Sequence, residues 1–216
     1  MNRLRIWIVI AMISGLSVTL CSCPTLIGFT AVNLQSTEKV DARYEPPGGK
    51  TALVLVNDSR VLTSQPLAGA LTHYLNMELV DNEVARKVVR YDHLLDLRAA
   101  TPRSNLLKPG EIGSRLDAEW VCHVLVDEFT LGEESARGIW EGRLAVRVRV
   151  VRKDGEILWP TDTLDGYRVK PVETPLVVEH RSAYGDELTR SMCRVMADRI
   201  AKLFYDHRVA YGENTD

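Results

Sequence analysis

Between Ile6 and Thr37 the chain carries no charged side chain, and Arg3 and Arg5 stand just ahead of that interval. A positive n-region followed by an apolar h-region is the pattern of an export signal. The h-region "IWIVIAMISGLSVTL", Ile6 to Leu20, is at the long end for a secretory segment and short of a membrane span, which needs about 20 apolar residues. A signal peptide is therefore preferred to a transmembrane helix. Apolar character resumes in "TLIGFTAV" after Pro24, so an uncleaved span to about Val32 is the competing reading. Both readings remove the amino terminus from the fold and put the body of the protein outside the cytoplasm.

The h-region closes on Leu20-Cys21-Ser22-Cys23. This run resembles the lipobox of bacterial lipoproteins, in which an aliphatic residue, a tolerant position and a small residue precede an obligatory cysteine. Ser22 fills the small position and Cys23 the cysteine. Cys21 fits less well, because Leu20 would then stand at the cleavage position. The resemblance implies cleavage before Cys23, acylation of its sulfur by a palmitate-like pair of chains, and acylation of the new amino terminus. Each buried methylene contributes about 0.8 kcal/mol, so two or three chains hold a protein on a membrane where one does not. The competing readings of Cys21 and Cys23 are small residues in a buried helix and half of a metal shell. A C-x-C pair supplies two ligands, and no nearby His, Asp or Glu completes the set.

With 216 residues, 45% of them hydrophobic and 26% charged, the chain beyond the anchor reads as one globular domain with an appendage. A net charge of -2 and a pI near 6.2 provide no basic field, which excludes nucleic acid as a default partner. "NLQSTEKVDARYEPPGGK", Asn33 to Lys50, lacks periodicity and ends in Pro-Pro-Gly-Gly. The expected organisation is a signal peptide over 1–22, a lipid-anchored tether over 23–50, an α/β domain over 51–209 and a tail over 210–216.

Within the domain, "TALVLVND" is a short apolar run closed by turn formers, suited to a strand buried on both faces. Leu67, Leu71, Tyr74, Leu75 and Leu79 recur at helical spacing. "EVARKVVRYDHLLDL" reads as a second strand running into a loop, and "PGEIGSRLDA" as a short helix begun by Pro109. "EWVCHVLVDEFTL" alternates two sets, Trp120, Cys122, Val124, Val126 and Val121, His123, Leu125, both largely apolar, which predicts a central strand. In "GIWEGRLAVRVRVVRKDGEILWP", Trp140, Leu144, Val146, Val148 and Val150 point one way and Arg143, Arg147 and Arg149 the other, with Asp154-Gly155 turning the hairpin. Pro171 and Pro175 argue against a long central strand after it. A last helix runs from about Ala183 to Tyr205, striped by Leu188, Met192, Val195, Met196, Ile200, Leu203 and Phe204. The fold class is α/β, a mixed β-sheet with helices packed against it in the order β-α-β-α-β-β-β-α.

No phosphate loop, dinucleotide fingerprint, H-E-x-x-H pair or G-x-S-x-G elbow is present. The residues call for no catalytic group, cofactor or metal. His73, His93, His123, His180 and His207 are scattered and read as surface or locally hydrogen-bonded histidines. Cys122 and Cys193 are candidates for a disulfide in an oxidising compartment, with two buried free thiols the preferred state. Trp120, Trp140 and Trp159 read as core or rim residues rather than a ligand cage.

Ala118-Glu119-Trp120-Val121 and Lys153-Asp154-Gly155-Glu156-Ile157-Leu158-Trp159 resemble a strand entry and a hairpin found in a group of bacterial envelope proteins. The group includes the TolB amino-terminal domain, the penicillin-binding-protein activator lipoproteins and the curli-secretion CsgG-type lipoproteins. Asp117 departs from the group's glycine before the alanine, and nothing between Asp162 and Ser182 has the length of a membrane-spanning hairpin, so an adaptor fits better than a pore. The resemblance implies a non-enzymatic lipoprotein of the cell envelope, held by acyl chains on Cys23 with its domain on the periplasmic side, most simply at the outer membrane, and binding an unidentified envelope protein. Two alternatives stand beside it: an enzyme with a loop-built site around His93, Asp127, Glu128 and His180, and a ring-forming homo-oligomer. Fatty-acid labelling of cells should mark the protein, and Cys23→Ser should abolish the label; label surviving that change would overturn the anchor.

Overall fold

The computed structural model describes residues 37–58, 65–134, 139–177 and 184–210. Cys21, Cys23 and His180 lie outside the described residues. The double alternation at Trp120 builds β4 (Trp120–Glu134), flanked on one side by β2 (Thr51–Asp58) in parallel and on the other by β5 (Ile139–Arg152) in antiparallel. β2 pairs in turn with the short β3 (Lys87–Val88), while β6 (Ile157–Trp159), β7 (Tyr167–Arg168) and β8 (Val172–Val177) each pair with β5. The mixed α/β sheet expected from the sequence is the one observed, with β4 central. β8 carries Pro175 and sits at an edge, where a missing N–H is tolerated.

Side-chain parity divides the sheet into two faces. Val54, Cys122, Val124, Val146 and Val148 join Leu71, Leu75 and Leu79 of α1 (Gln65–Asp81) and Met192, Met196 and Ile200 of α4 (Tyr184–Ala201) in one buried cluster. Leu53, Leu55, Val121 and Val151 on the opposite face meet Leu94 of α2 (Tyr91–Ala100) and Ile112 of α3 (Pro109–Arg115) in a smaller one. Each fully buried Leu or Met contributes about 1.5–3 kcal/mol, so the α1/α4 side dominates stability. Cys122 and Cys193 both fall in the larger cluster and are free thiols. The Sγ of Cys193 faces the Leu67 carbonyl oxygen at 3.9 Å, and burial pushes both thiols up to about 12.

The structure departs from the sequence reading at four places. "YDHLLDLRAA" is helix α2 rather than strand and loop, because Leu94 and its neighbours gain burial against Leu53 and Leu55. The carboxy-terminal helix stops at Ala201, where tight turns bond Leu203 N to Ile200 O and Phe204 N to Ala201 O, and Val195 of the stripe is 36% exposed. The Leu203 carbonyl freed by that ending accepts from Arg43 N and Tyr44 N, at 2.9 and 3.1 Å. Tyr44 then stacks on Trp159, which also meets Tyr167 and Phe204. Residues read as tether are thus docked on the domain well before Thr51. β1 (Thr37–Val40) and β9 (His207–Ala210), neither expected from the pattern, form a separate two-stranded sheet.

The first turn of α3 lies against the β5–β6 turn. A Cβ added at Gly110 would stand 2.7 Å from Gly155 N and 2.9 Å from Arg152 O, both backbone atoms that cannot rotate away, whereas one at Gly48 would meet nothing. Gly110→Ala should lower stability by about 1–3 kcal/mol in urea titrations, as overpacking does, with Gly48→Ala within about 0.5 kcal/mol of the parent.

Candidate functional site

Along β2, β4 and β5 the face that carries α2 and α3 changes character rung by rung. Leu53, Val121 and Val151 make an apolar rung under the helices. Leu55, His123 and Arg149 form the next, and Asn57, Leu125 and Arg147 the one after. The sheet therefore leaves its helical cover through a histidine and then a row of arginines.

His123 is 4% exposed. Its Nε2 lies 3.2 Å from Asn57 Nδ2, while Asn57 Oδ1 accepts from Arg98 Nη2 of α2, also at 3.2 Å. Arg98 can only donate, so it turns the Asn57 amide with its NH2 toward the imidazole. Nε2 must accept that bond, and the ring proton sits on Nδ1. Burial, with Arg149 nearby, pushes His123 from its ordinary 6.5 down to about 4. The residue is a neutral imidazole at physiological pH.

Beyond this rung the strands carry charge in pairs. A register shift between Val126 and Glu128 makes Asp127 the extra residue of a β-bulge. Arg147 grips Asp127 with two prongs, Nη2 to Oδ1 at 2.7 Å and Nε to Oδ2 at 2.8 Å, a geometry that also holds the guanidinium more firmly protonated. Arg143 bonds Glu128 at 2.9 Å and also pairs with Glu173 of β8. Exposed pairs of the second kind contribute about 0–1 kcal/mol each. The loop before β7 crosses the row: Arg147 Nη1 donates to Asp165 O at 3.0 Å and Arg149 Nη1 to Leu164 O at 2.9 Å. Gly166, at φ +94°, completes the crossing, since a Cβ there would come within 2.9 Å of Arg149 Cγ.

The carboxylates considered for a loop-built enzyme site are placed differently by the structure. Asp127 and Glu128 lie on strand β4 and are bound by arginines, while His93 is on α2. A cavity of about 240 Å3 is lined by Glu45, Glu83, Tyr205 and Asp206 among others, and by none of His93, Asp127 or Glu128. Among the described residues no three His, Cys, Asp or Glu converge as metal ligands, and no helix is long and apolar enough to cross a membrane. Sequence reasoning named His123 only as one of five scattered histidines and did not put forward its partners Asn57 and Arg98. The signal of His123 was a single imidazole inside an otherwise aliphatic alternation.

No family model and no curated protein matches the chain. Among solved structures, the PelC dodecamer from Paraburkholderia phytofirmans is similar at 10% identity over 79% of this chain and 98% of that one, with a TM-score of 0.42. A lipoprotein from Neisseria meningitidis is similar at 11% identity over 70% and 98%, with a TM-score of 0.41. The rare lipoprotein B from Shewanella oneidensis is similar at 14% identity over 68% and 89%, with a TM-score of 0.34. Two of these three are named lipoproteins. Likeness at these scores carries no function across.

The neutral His123 makes stability depend on pH with a definite sign. The unfolded chain takes up the proton near 6.5 and the folded chain only near 4, so stability is complete above 6.5 and falls as pH drops between these values. The loss attributable to His123 should approach about 3 kcal/mol at pH 4. It is read as the difference between the parent and His123→Leu in urea titrations at pH 7 and pH 4. Equal pH slopes in the two proteins would contradict it.

Proposed function

We propose that the chain is a lipid-anchored protein of the bacterial cell envelope, attached through Cys23, whose α/β domain binds a protein partner rather than catalysing a reaction. The observation that carries this reading is the run Leu20-Cys21-Ser22-Cys23 behind a positive n-region and an uncharged h-region. The anchor keeps the domain close to the bilayer: the chain from Cys23 to Thr37 reaches at most about 50 Å when fully extended.

The geometry supports partner binding along β4. β2 pairs with β4 only as far as Val126, whereas β4 continues to Glu134 with β5 on its other side. No described strand covers the side of β4 past the bulge, and its backbone groups there are a template for an extended segment of another protein. Phe129 and Leu131 lie partly buried on the α1/α4 side of this stretch, while Glu128 and Thr130 face outward. An added strand would therefore extend the existing core rather than lie on bare charge.

A photo-crosslinking residue at Thr130 should trap a discrete envelope partner in living cells, and the same residue at exposed Glu111 should not. Glu133→Pro, which removes an N–H on the side of β4 away from β5, should reduce the crosslink obtained from the probe at Thr130 at least tenfold. Equal capture at the two sites, or capture untouched by the proline, would overturn edge binding. A product of two copies of this chain would favour the homo-oligomer.

A further inference from the structure

His123 and Arg149 are cross-strand neighbours on the same rung, and each presents a buried N–H without an acceptor: Nδ1 of the imidazole and Nε of the guanidinium. Leaving such donors unmatched is costly, more so for the charged one. We propose that a small oxyanion of the carboxylate class, taken from solution, binds between His123 Nδ1–H and Arg149 Nε–H beneath the Thr163–Gly166 loop.

The chemistry of the lining selects an acceptor. The Arg98–Asn57 relay commits His123 to donate from Nδ1, and Arg149 can only donate. A planar oxyanion places one oxygen, or two, against a pair of N–H groups, and charge-assisted bonds of this kind are about twice as strong as neutral ones. The local charge selects an anion over water. Arg143 and Arg147 each hold carboxylates, whereas the bonds of Arg149 and Arg98 go to a carbonyl and an amide oxygen. Burial and then the like charge of Arg147, only partly offset by Asp165, weaken the hold of Arg149 on its proton, and an anion in contact relieves that tension. The size of the occupant follows from burial. Both N–H groups are shut from solvent, and the loop that crosses Arg149 is held by two arginine-to-carbonyl bonds, so a small free anion enters more readily than a side chain of a bulky partner.

The test uses the full chain in detergent micelles at pH 7.5, with sodium acetate replacing sodium chloride at constant ionic strength and inorganic phosphate as a second probe. The thermal midpoint should rise by about 5 °C or more once acetate is one hundred times its Kd. The ring 15N signals of His123 should show an Nδ1–H that shifts on titration. Arg149→Lys, which keeps the charge and removes the Nε donor, and His123→Leu should each lose at least nine-tenths of the acetate response, while Arg168→Gln on the exposed β7 keeps it. A midpoint and a ring signal indifferent to acetate would mean that the two donors hold water only, and would overturn the proposal. Responses kept by both variants would also overturn it, and a response to phosphate without one to acetate would overturn the carboxylate class. Should either variant fail to fold, the 15N titration of the parent chain decides by itself.

Discussion

The register of β4 against β5 is the constraint on which the other features depend. Val124 opposite Val148 and Val126 opposite Val146 send one parity of side chains into the α1/α4 core. The same register puts His123 opposite Arg149 and Leu125 opposite Arg147 on the other face. A slip of one residue would turn arginines toward Met192 and Met196 and expose the valines, which no helix could accommodate. Position on the sheet then decides what each arginine becomes. Arg149 lies close to the helical cover and loses solvent, Arg147 is clasped by the bulged Asp127, and Arg143 reaches the edge strand.

The bulge at Asp127 links core and periphery. It adds one residue to β4 without changing β5, so the apolar parity moves from even numbers, ending at Val126, to odd numbers at Phe129 and Leu131. Two consecutive carboxylates are thereby brought beside two arginines of one parity, Asp127 beside Arg147 and Glu128 beside Arg143. The result is a face with little net charge whose cations are matched outward and unmatched inward, at the rung where His123 sits. The same strand builds both this face and the stretch past Val126 that no described strand pairs on its β2 side.

Much of this was legible in the residues. Alternation over Trp120 to Val126 and over Leu144 to Val150 marks strands of opposite exposure, because side chains on a strand alternate without regard to context. The stripes of α1 and α4 are equally local. Less legible were α2, whose short apolar pattern fits a strand nearly as well as a helix, and the docking of Arg43 and Tyr44, which needs a carbonyl left over by the ending of a helix some 160 residues away. The candidate site was the least legible part. His123, Asn57 and Arg98 come from three separate elements, and only the parallel pairing of β2 with β4 and the packing of α2 bring them into one line.

By itself, the sequence determined the α/β class, the central strand and the sidedness of its arginines, and it carries the run on which the proposed anchor rests. Each is written in contiguous residues, through hydrophobic length, period or a short motif. Tertiary structure alone decided that Cys122 and Cys193 remain separate thiols, that Asp127 and Glu128 are bound to arginines, and that one histidine is buried and neutral with its proton on Nδ1. These depend on which distant groups share a desolvated space, and in that space a hydrogen bond or a charge is worth far more than it is along an open chain.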